Sequence, residues 1–131
     1  MDRPAPVAAW HAIARSKDPA LLRELLADDV VFRSPAVFSP QAGRAATTLY
    51  LIAAISVLGP TLRYLDEWYG ESSAVLEFEA DLDGVVVHGV DMFRWNTAQE
   101  LTSFTVMVRP VKGLQELMTR MGAELARLTR Q

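Results

Sequence analysis

Cysteine is absent from this 131-residue chain. That removes disulfides, zinc–thiolate sites and thiol nucleophiles together. Lysine is nearly absent: two lysines and eleven arginines are scattered without a run, and the formal net charge is −3. No basic stripe for nucleic acid results, and Trp95 beside Arg94 is too isolated to make a stacking platform. Long hydrophobic runs are missing as well. The longest, LYLIAAISVLG at 49–59, has 11 residues, against roughly 20 for a bilayer span. No basic segment followed by an apolar stretch opens the chain, so a signal peptide is not expected. His11 and His88 fall on different elements without ligand spacing, so neither a metal nor another cofactor is expected. The expectation is a soluble cytoplasmic protein with no membrane or nucleic-acid partner.

Half of the residues are apolar, enough for a real core, and the length suits one domain over 1–131. Helical spacing comes first. Val7, Trp10, Ile13 and Ala14 line one face of 7–16. Asp18-Pro19 reads as an N-cap and first helical residue, with Leu21, Leu22, Leu25 and Leu26 behind them. Asp28-Asp29 is expected to end that helix, and 30–32 to form a short strand. The prolines and glycine of SPAVFSPQAG mark 34–43 as a loop. A third helix is predicted at 44–58, closed by Gly59 as a C′ residue and by Pro60. The period then changes to two. Strands are predicted at 61–69, 74–82, 85–95 and 101–109, joined by turn-rich GESS, DG and NTAQE. Short connections imply an antiparallel meander. A final amphipathic helix carries Leu114, Leu117, Met118, Met121, Leu125 and Leu128 on one face. The class is α+β: N-terminal helices packed on a curved antiparallel sheet, plus a C-terminal helix. A twisted sheet closed on one side by helices leaves a cone with an open end, and a pocket inside it.

Asp83-Gly84 signals a two-residue type I′ hairpin, which pairs Leu82 with Val85. Counting back, Phe78 opposes Gly89, Leu76 opposes Asp91, and Glu79 opposes His88. One face then carries Leu76, Phe78, Ala80, Val85, Val87, Gly89, Asp91, Phe93 and Trp95. The other carries Glu77, Glu79, Asp81, Val86, His88, Val90, Met92 and Arg94. The first face meets the helices. His88 and Asp91 therefore point to opposite sides, and a His88–Asp91 dyad within one subunit is excluded. His88 is expected to pair with Glu79 across the strands. Asp91 sits alone on an apolar face, where dehydration raises a carboxyl pKa toward that of a useful acid or base. The bland alternative is a structural acid that accepts hydrogen bonds in the core.

If NTAQ is a four-residue loop, Trp95 opposes Glu100 and Asp91 opposes Phe104. Phe104, Val106 and Val108 then face inward, and Arg109 lies near Glu79 and Asp81. For strand 61–69 two parities remain. An even GESS loop turns Glu67 inward, two strands from Asp91 and within reach of a shared ligand. An odd loop turns Tyr64, Asp66 and Trp68 inward instead. Candidate pocket-lining residues are Trp10, Tyr50, Leu76, Phe78, Phe93, Trp95, Phe104 and Val106. Candidate catalytic carboxylates are Asp91 and Glu67. His11 is expected at the surface, and Arg33 at the surface or the pocket rim.

LLADDVVFRSP, the Gly43-Arg44 start of the third helix, DLDGVVVHGVDMF and VMVRPVKGLQELMTRM together resemble the SnoaL-like branch of the nuclear transport factor 2-like (NTF2-like) superfamily, over nearly the whole chain. The resemblance implies a cone-shaped α+β domain, often a homodimer through the outer sheet face. Such domains include polyketide cyclases, ketosteroid isomerases, small epoxide hydrolases, dehydratases and non-catalytic binding domains. Asp91 matches their inner-strand acid. An aspartate–arginine–aspartate set, as in the epoxide hydrolases, is not evident, while Tyr50 or Tyr64 could supply an oxyanion donor. Two functions are carried forward. One is a cofactor-independent isomerase, cyclase or dehydratase acting on a small apolar carbonyl compound. The other is a non-catalytic small-molecule-binding or dimerisation domain.

Overall fold

Prolines and an aspartate start the first two helices. In the computed structural model, which describes residues 2–130, α1 (Ala5–Ser16) follows Pro4 and carries Pro6 in its first turn. The side chain of Asp18 accepts a hydrogen bond from the Ala20 amide at 2.9 Å and caps α2 (Pro19–Leu25). The chain then turns directly into β1 (Leu26–Arg33). Asp28 and Asp29 lie within this strand, exposed on its surface, and not at a helix end. A two-residue strand, β2 (Gln41–Ala42), interrupts the expected loop. Next comes α3 (Arg44–Leu58). Gly59 adopts right-handed angles, φ −52° and ψ −42°, and not the left-handed cap conformation. A glycine tolerates that conformation before Pro60 because it lacks the Cβ that the proline ring would strike.

β3 (Arg63–Tyr69), β4 (Ser73–Leu82), β5 (Val85–Trp95) and β6 (Leu101–Arg109) form the antiparallel meander, followed by α4 (Val111–Thr129). The six strands run in the order β2-β1-β6-β5-β4-β3. β1 joins β6 in parallel, so the curved, open sheet is mixed. Helices cover its concave face, and the core fills the space between: Trp10, Ile13, Leu51, Ile55, Leu76, Phe78, Phe93 and Phe104 are all buried. α4 packs on α3 and β5. This is the expected α+β cone. Among the described residues no helix is long and apolar enough to cross a membrane.

Registers decide which side chains enter the cone. Asp83 and Gly84 both have positive φ, 53° and 94°, the signature of a type I′ turn. The β4–β5 ladder runs from Leu82↔Val85 through Leu76↔Asp91, as read from the sequence. The β5–β6 register differs. The loop spans five residues, held by the Asn96 side chain, which accepts from the Ala98 and Glu100 amides. Trp95 therefore faces Leu101 and not Glu100, and an irregularity follows between Arg94 and Trp95. Asp91 ends opposite Val106 and not Phe104. Two one-residue offsets sum to two, which restores the inward face of Phe104 and Val106.

In β3, neither parity holds throughout. Tyr64 pairs with Phe78 and Asp66 with Glu77, leaving Leu65 as a bulge. Beyond it, Glu67 pairs with Leu76. Tyr64, Glu67 and Tyr69 are half-buried on the inner side, while Leu65, Asp66 and Trp68 are exposed. A bulge allows this because residues three apart otherwise face opposite sides. On the outer face, His88 bonds through Nε2 to Glu77 at 2.6 Å and accepts at Nδ1 from Arg109 at 3.3 Å. Glu79, its register partner, is taken by Arg63 at 2.7 Å. The expected His88–Glu79 pair and the Arg109 contact with Glu79 and Asp81 are thus replaced by diagonal and adjacent partners.

Gly89 has no room for a side chain: a Cβ would lie 2.3 Å from the Met107 carbonyl oxygen and 2.8 Å from the Phe78 ring. Gly89→Ala is expected to cost about 1–3 kcal/mol in urea unfolding. An unchanged midpoint would contradict the close β5–β6 approach.

Candidate functional site

The cone encloses a cavity of about 240 Å³. Its sheet-side wall is aromatic and aliphatic, made by Phe32, Phe78, Phe104 and Val106, and Trp10 joins it from α1. Trp10 and Phe104 meet with ring centroids 4.8 Å apart. Tyr50, on α3, stacks on Phe32 at 5.7 Å. The opposite wall comes from α3 and α4, with Leu51, Ile55, Leu117, Met121 and Leu125. Ser34, Pro35, Ala36 and Val37 border the cavity from the loop after β1.

One carboxylate enters this apolar lining. Asp91 is 6% exposed, and burial pushes its carboxyl up to about 7. The hydrogen bond from Tyr64, at 2.7 Å to Oδ2, opposes that rise without cancelling it. Tyr64 itself accepts from Trp10 Nε1 at 2.8 Å. An indole nitrogen only donates, so the phenol proton must point at Asp91. Burial first, and the neighbouring Asp91 charge second, push Tyr64 well above the ordinary tyrosine range. Tyr64 therefore stays protonated. Asp91 Oδ1 takes no hydrogen bond from the described residues, and Asp91 lines the cavity. The site thus presents one oriented carboxyl oxygen, able to take or give a proton near neutral pH.

Glu67 turns inward as one reading expected, yet it is not among the cavity-lining residues. Its carboxylate is held by His11 Nε2 at 2.5 Å, by the Tyr69 hydroxyl at 2.5 Å and by Arg3 at 3.4 Å. Burial acts to raise Glu67, but the hydrogen bonds from Tyr69 and His11, with the charge of Arg3, outweigh it and hold the group low. Burial lowers His11, so a neutral ring donates its Nε2 proton to Glu67. His11 is buried, contrary to the expected surface position, because the bulge brings Glu67 to meet it. The expected sharing of one ligand by Glu67 and Asp91 is not what this arrangement offers.

Trp10, Tyr50, Phe78, Phe104 and Val106 line the cavity, whereas Leu76, Phe93 and Trp95 do not. Leu76 and Phe93 are sealed in the core, and Trp95 packs beside Phe93 at 6.1 Å. Arg33 is exposed and donates to Ser103 at 3.0 Å, away from the cavity lining. Phe32, the α3 side chains Leu51 and Ile55, Tyr64 and the α4 side chains are among the lining residues that the sequence did not place there. The apolar stripe of α4 was visible, but its placement over the cavity was not. Among the described residues no three histidine or acidic side chains gather closely enough to hold a metal ion.

No family model and no curated protein matches the chain. Solved structures do. A steroid delta-isomerase from Pseudomonas aeruginosa shares 34% identity over 97% of this chain and 93% of its own, with a TM-score of 0.90. The chain belongs to the SnoaL-like/NTF2-like superfamily. A bacterial protein of cystatin-like fold from Silicibacter pomeroyi shares 25% identity over 96% of this chain and 87% of its own, at a TM-score of 0.86. SalBIII, an epoxide hydrolase/cyclase-like enzyme in salinomycin pyran ring formation, shares the NTF2-like fold at 17% identity and a TM-score of 0.67, covering 82% of this chain and 90% of its own.

Stability should record the dehydrated carboxyl. A native pKa near 7 against an unfolded value near 4 means that the native state binds the extra proton between those values. The Asp91 contribution to stability is full below about pH 4 and falls as pH rises to about 7, by roughly 4 kcal/mol. Asp91→Asn, which keeps an acceptor for Tyr64, should flatten this loss. Its advantage over the parent should be a few kcal/mol larger at pH 8 than at pH 4, measured by denaturant unfolding at each pH. Parallel pH profiles would contradict the assignment.

Proposed function

We propose that the protein is a cofactor-independent proton-transfer enzyme of the SnoaL-like type, with isomerase, cyclase or dehydratase chemistry on an apolar carbonyl compound. The observation that carries this is Asp91, an acid pushed to about 7 on the wall of an apolar cavity. Ionised Asp91 takes the proton from the carbon beside the carbonyl through Oδ1. The C–H electron pair passes into an enolate, and the captured proton returns from Asp91 to another carbon in an isomerisation. In a cyclisation the enolate carbon attacks a second carbonyl carbon of the same molecule; that carbonyl's π electron pair moves onto its oxygen, which takes the proton back from Asp91.

Tyr64 has its proton committed to Asp91, so it orients the base. The lining hydroxyls of Tyr50 and Ser34 remain as donors for the developing oxyanion. The 34% likeness to a steroid delta-isomerase supports a steroid-like or other polycyclic apolar substrate.

With a panel of β,γ-unsaturated cyclic ketones, kcat/KM should rise with pH through about 7 as Asp91 ionises. Asp91→Asn should lower kcat by about 10²–10⁴-fold while ligand affinity changes little. Binding with no turnover across the panel would favour the alternative of a non-catalytic binding domain, whereas turnover that survives in Asp91→Asn would remove Asp91 as the base.

Two copies are proposed to pair through the outer sheet face. Trp68 is 52% exposed and Met107 54%, with Leu65 and Val86 exposed nearby on that face. Sedimentation should give a dimer for the parent chain and a monomer for the Trp68→Glu/Met107→Glu double variant. A parent that sediments as a monomer at micromolar concentration would remove the pairing.

A further inference from the structure

Tyr64 stands on β3, the edge strand of the sheet, yet its hydroxyl must stay between Trp10 and Asp91. Two adjacent cross-links between α1 and β3 meet that requirement. From α1, the consecutive residues Trp10 and His11 reach Tyr64 and Glu67 at 2.8 and 2.5 Å. The Leu65 bulge is what lets both β3 residues face α1. The His11 ring also meets the Tyr64 ring edge-on, with centroids 4.8 Å apart. Tyr69, two residues on, donates to the second Glu67 oxygen.

An edge-strand carboxylate would ordinarily reach for water. The Glu67 side chain is only 11% exposed, and its partners all lie on α1, β3 or the segment before α1. Removing such a group from water is unfavourable unless it is fully bonded. The Glu67 cluster therefore serves something other than surface solvation, and it contributes no group to the cavity lining.

We infer that His11, Glu67 and Tyr69 form a positioning clamp that fixes α1 against the bulged edge strand and so holds the Tyr64 hydroxyl between Trp10 and Asp91. Glu67 acts through Tyr64 and is a positioning residue. Only the functional consequence of the clamp rests on the proton-transfer reading above; its geometric claim does not.

The test is the Trp10 indole N–H, observed by ¹H–¹⁵N NMR in the full chain and assigned with Trp10→Phe. In Glu67→Leu the indole proton should move toward the free-indole position. It should also exchange with solvent roughly tenfold faster, the scale of one hydrogen bond. The Trp68 and Trp95 indoles should stay in place. Glu67→Gln, which keeps an acceptor oxygen, should restore most of the parent signal. A folded Glu67→Leu protein with an unmoved Trp10 indole would overturn the clamp. Should that variant not fold, His11→Phe keeps a ring against Tyr64, removes the Glu67 contact and is read by the same criterion. The measurement needs no substrate, so failure of the clamp is distinct from failure of the chemistry, which would show as intact turnover in Asp91→Asn.

Discussion

Burial of the Asp91 carboxyl with a single protein hydrogen bond is the constraint on which the rest depends. In water the group would ionise near pH 4; on the wall of the cone it does so near 7. The sheet could have satisfied both oxygens, as structural acids usually are. Here Oδ2 is bonded and Oδ1 takes no bond from the described residues. The dehydration that weakens the folded state above neutral pH is the same effect that makes the acid useful. Such local cost is typical of sites held in place by the surrounding fold.

The direction of the hydrogen bonds follows from donor and acceptor chemistry alone. Trp10 can only donate, so Tyr64 can only turn its proton toward Asp91. That leaves Tyr64 unable to donate to a ligand while the Asp91 bond is intact. It also separates two acids that both face inward. Asp91 is poorly bonded and meets the cavity. Glu67 is fully bonded by His11, Tyr69 and Arg3 and lies outside the lining. Environment, and not residue type, assigns them different tasks.

Much of this was legible in the chain because one short turn is unambiguous. Asp83-Gly84 sets the β4–β5 ladder, and parity then sends Asp91 inward and His88 outward. The bulges at Leu65 and beside Trp95 were not legible, since no glycine or proline marks either. In the loop after Trp95 and at the irregularity beside it, two one-residue offsets added to two, so the inward face of Phe104 and Val106 survived a wrong register. At Leu65 the offset stood alone, and Tyr64 and Glu67 both faced inward where alternation allows only one. The burial of His11 was hidden for the same reason, because its partner depended on that bulge. Leu76 and Phe93 show a further limit. Alternation identifies the inner face, but the packing of helices over it decides which inner residues meet the cavity and which are sealed.

The central claim is that the folded protein holds Asp91 as an acid poised at neutrality, and the direct measurement is its titration by ¹³C carboxyl NMR, assigned with Asp91→Asn. The account predicts a midpoint near 7, falling further from the ordinary aspartate range in Tyr64→Phe, where the opposing hydrogen bond is gone. A midpoint near 4 in the folded parent would contradict it.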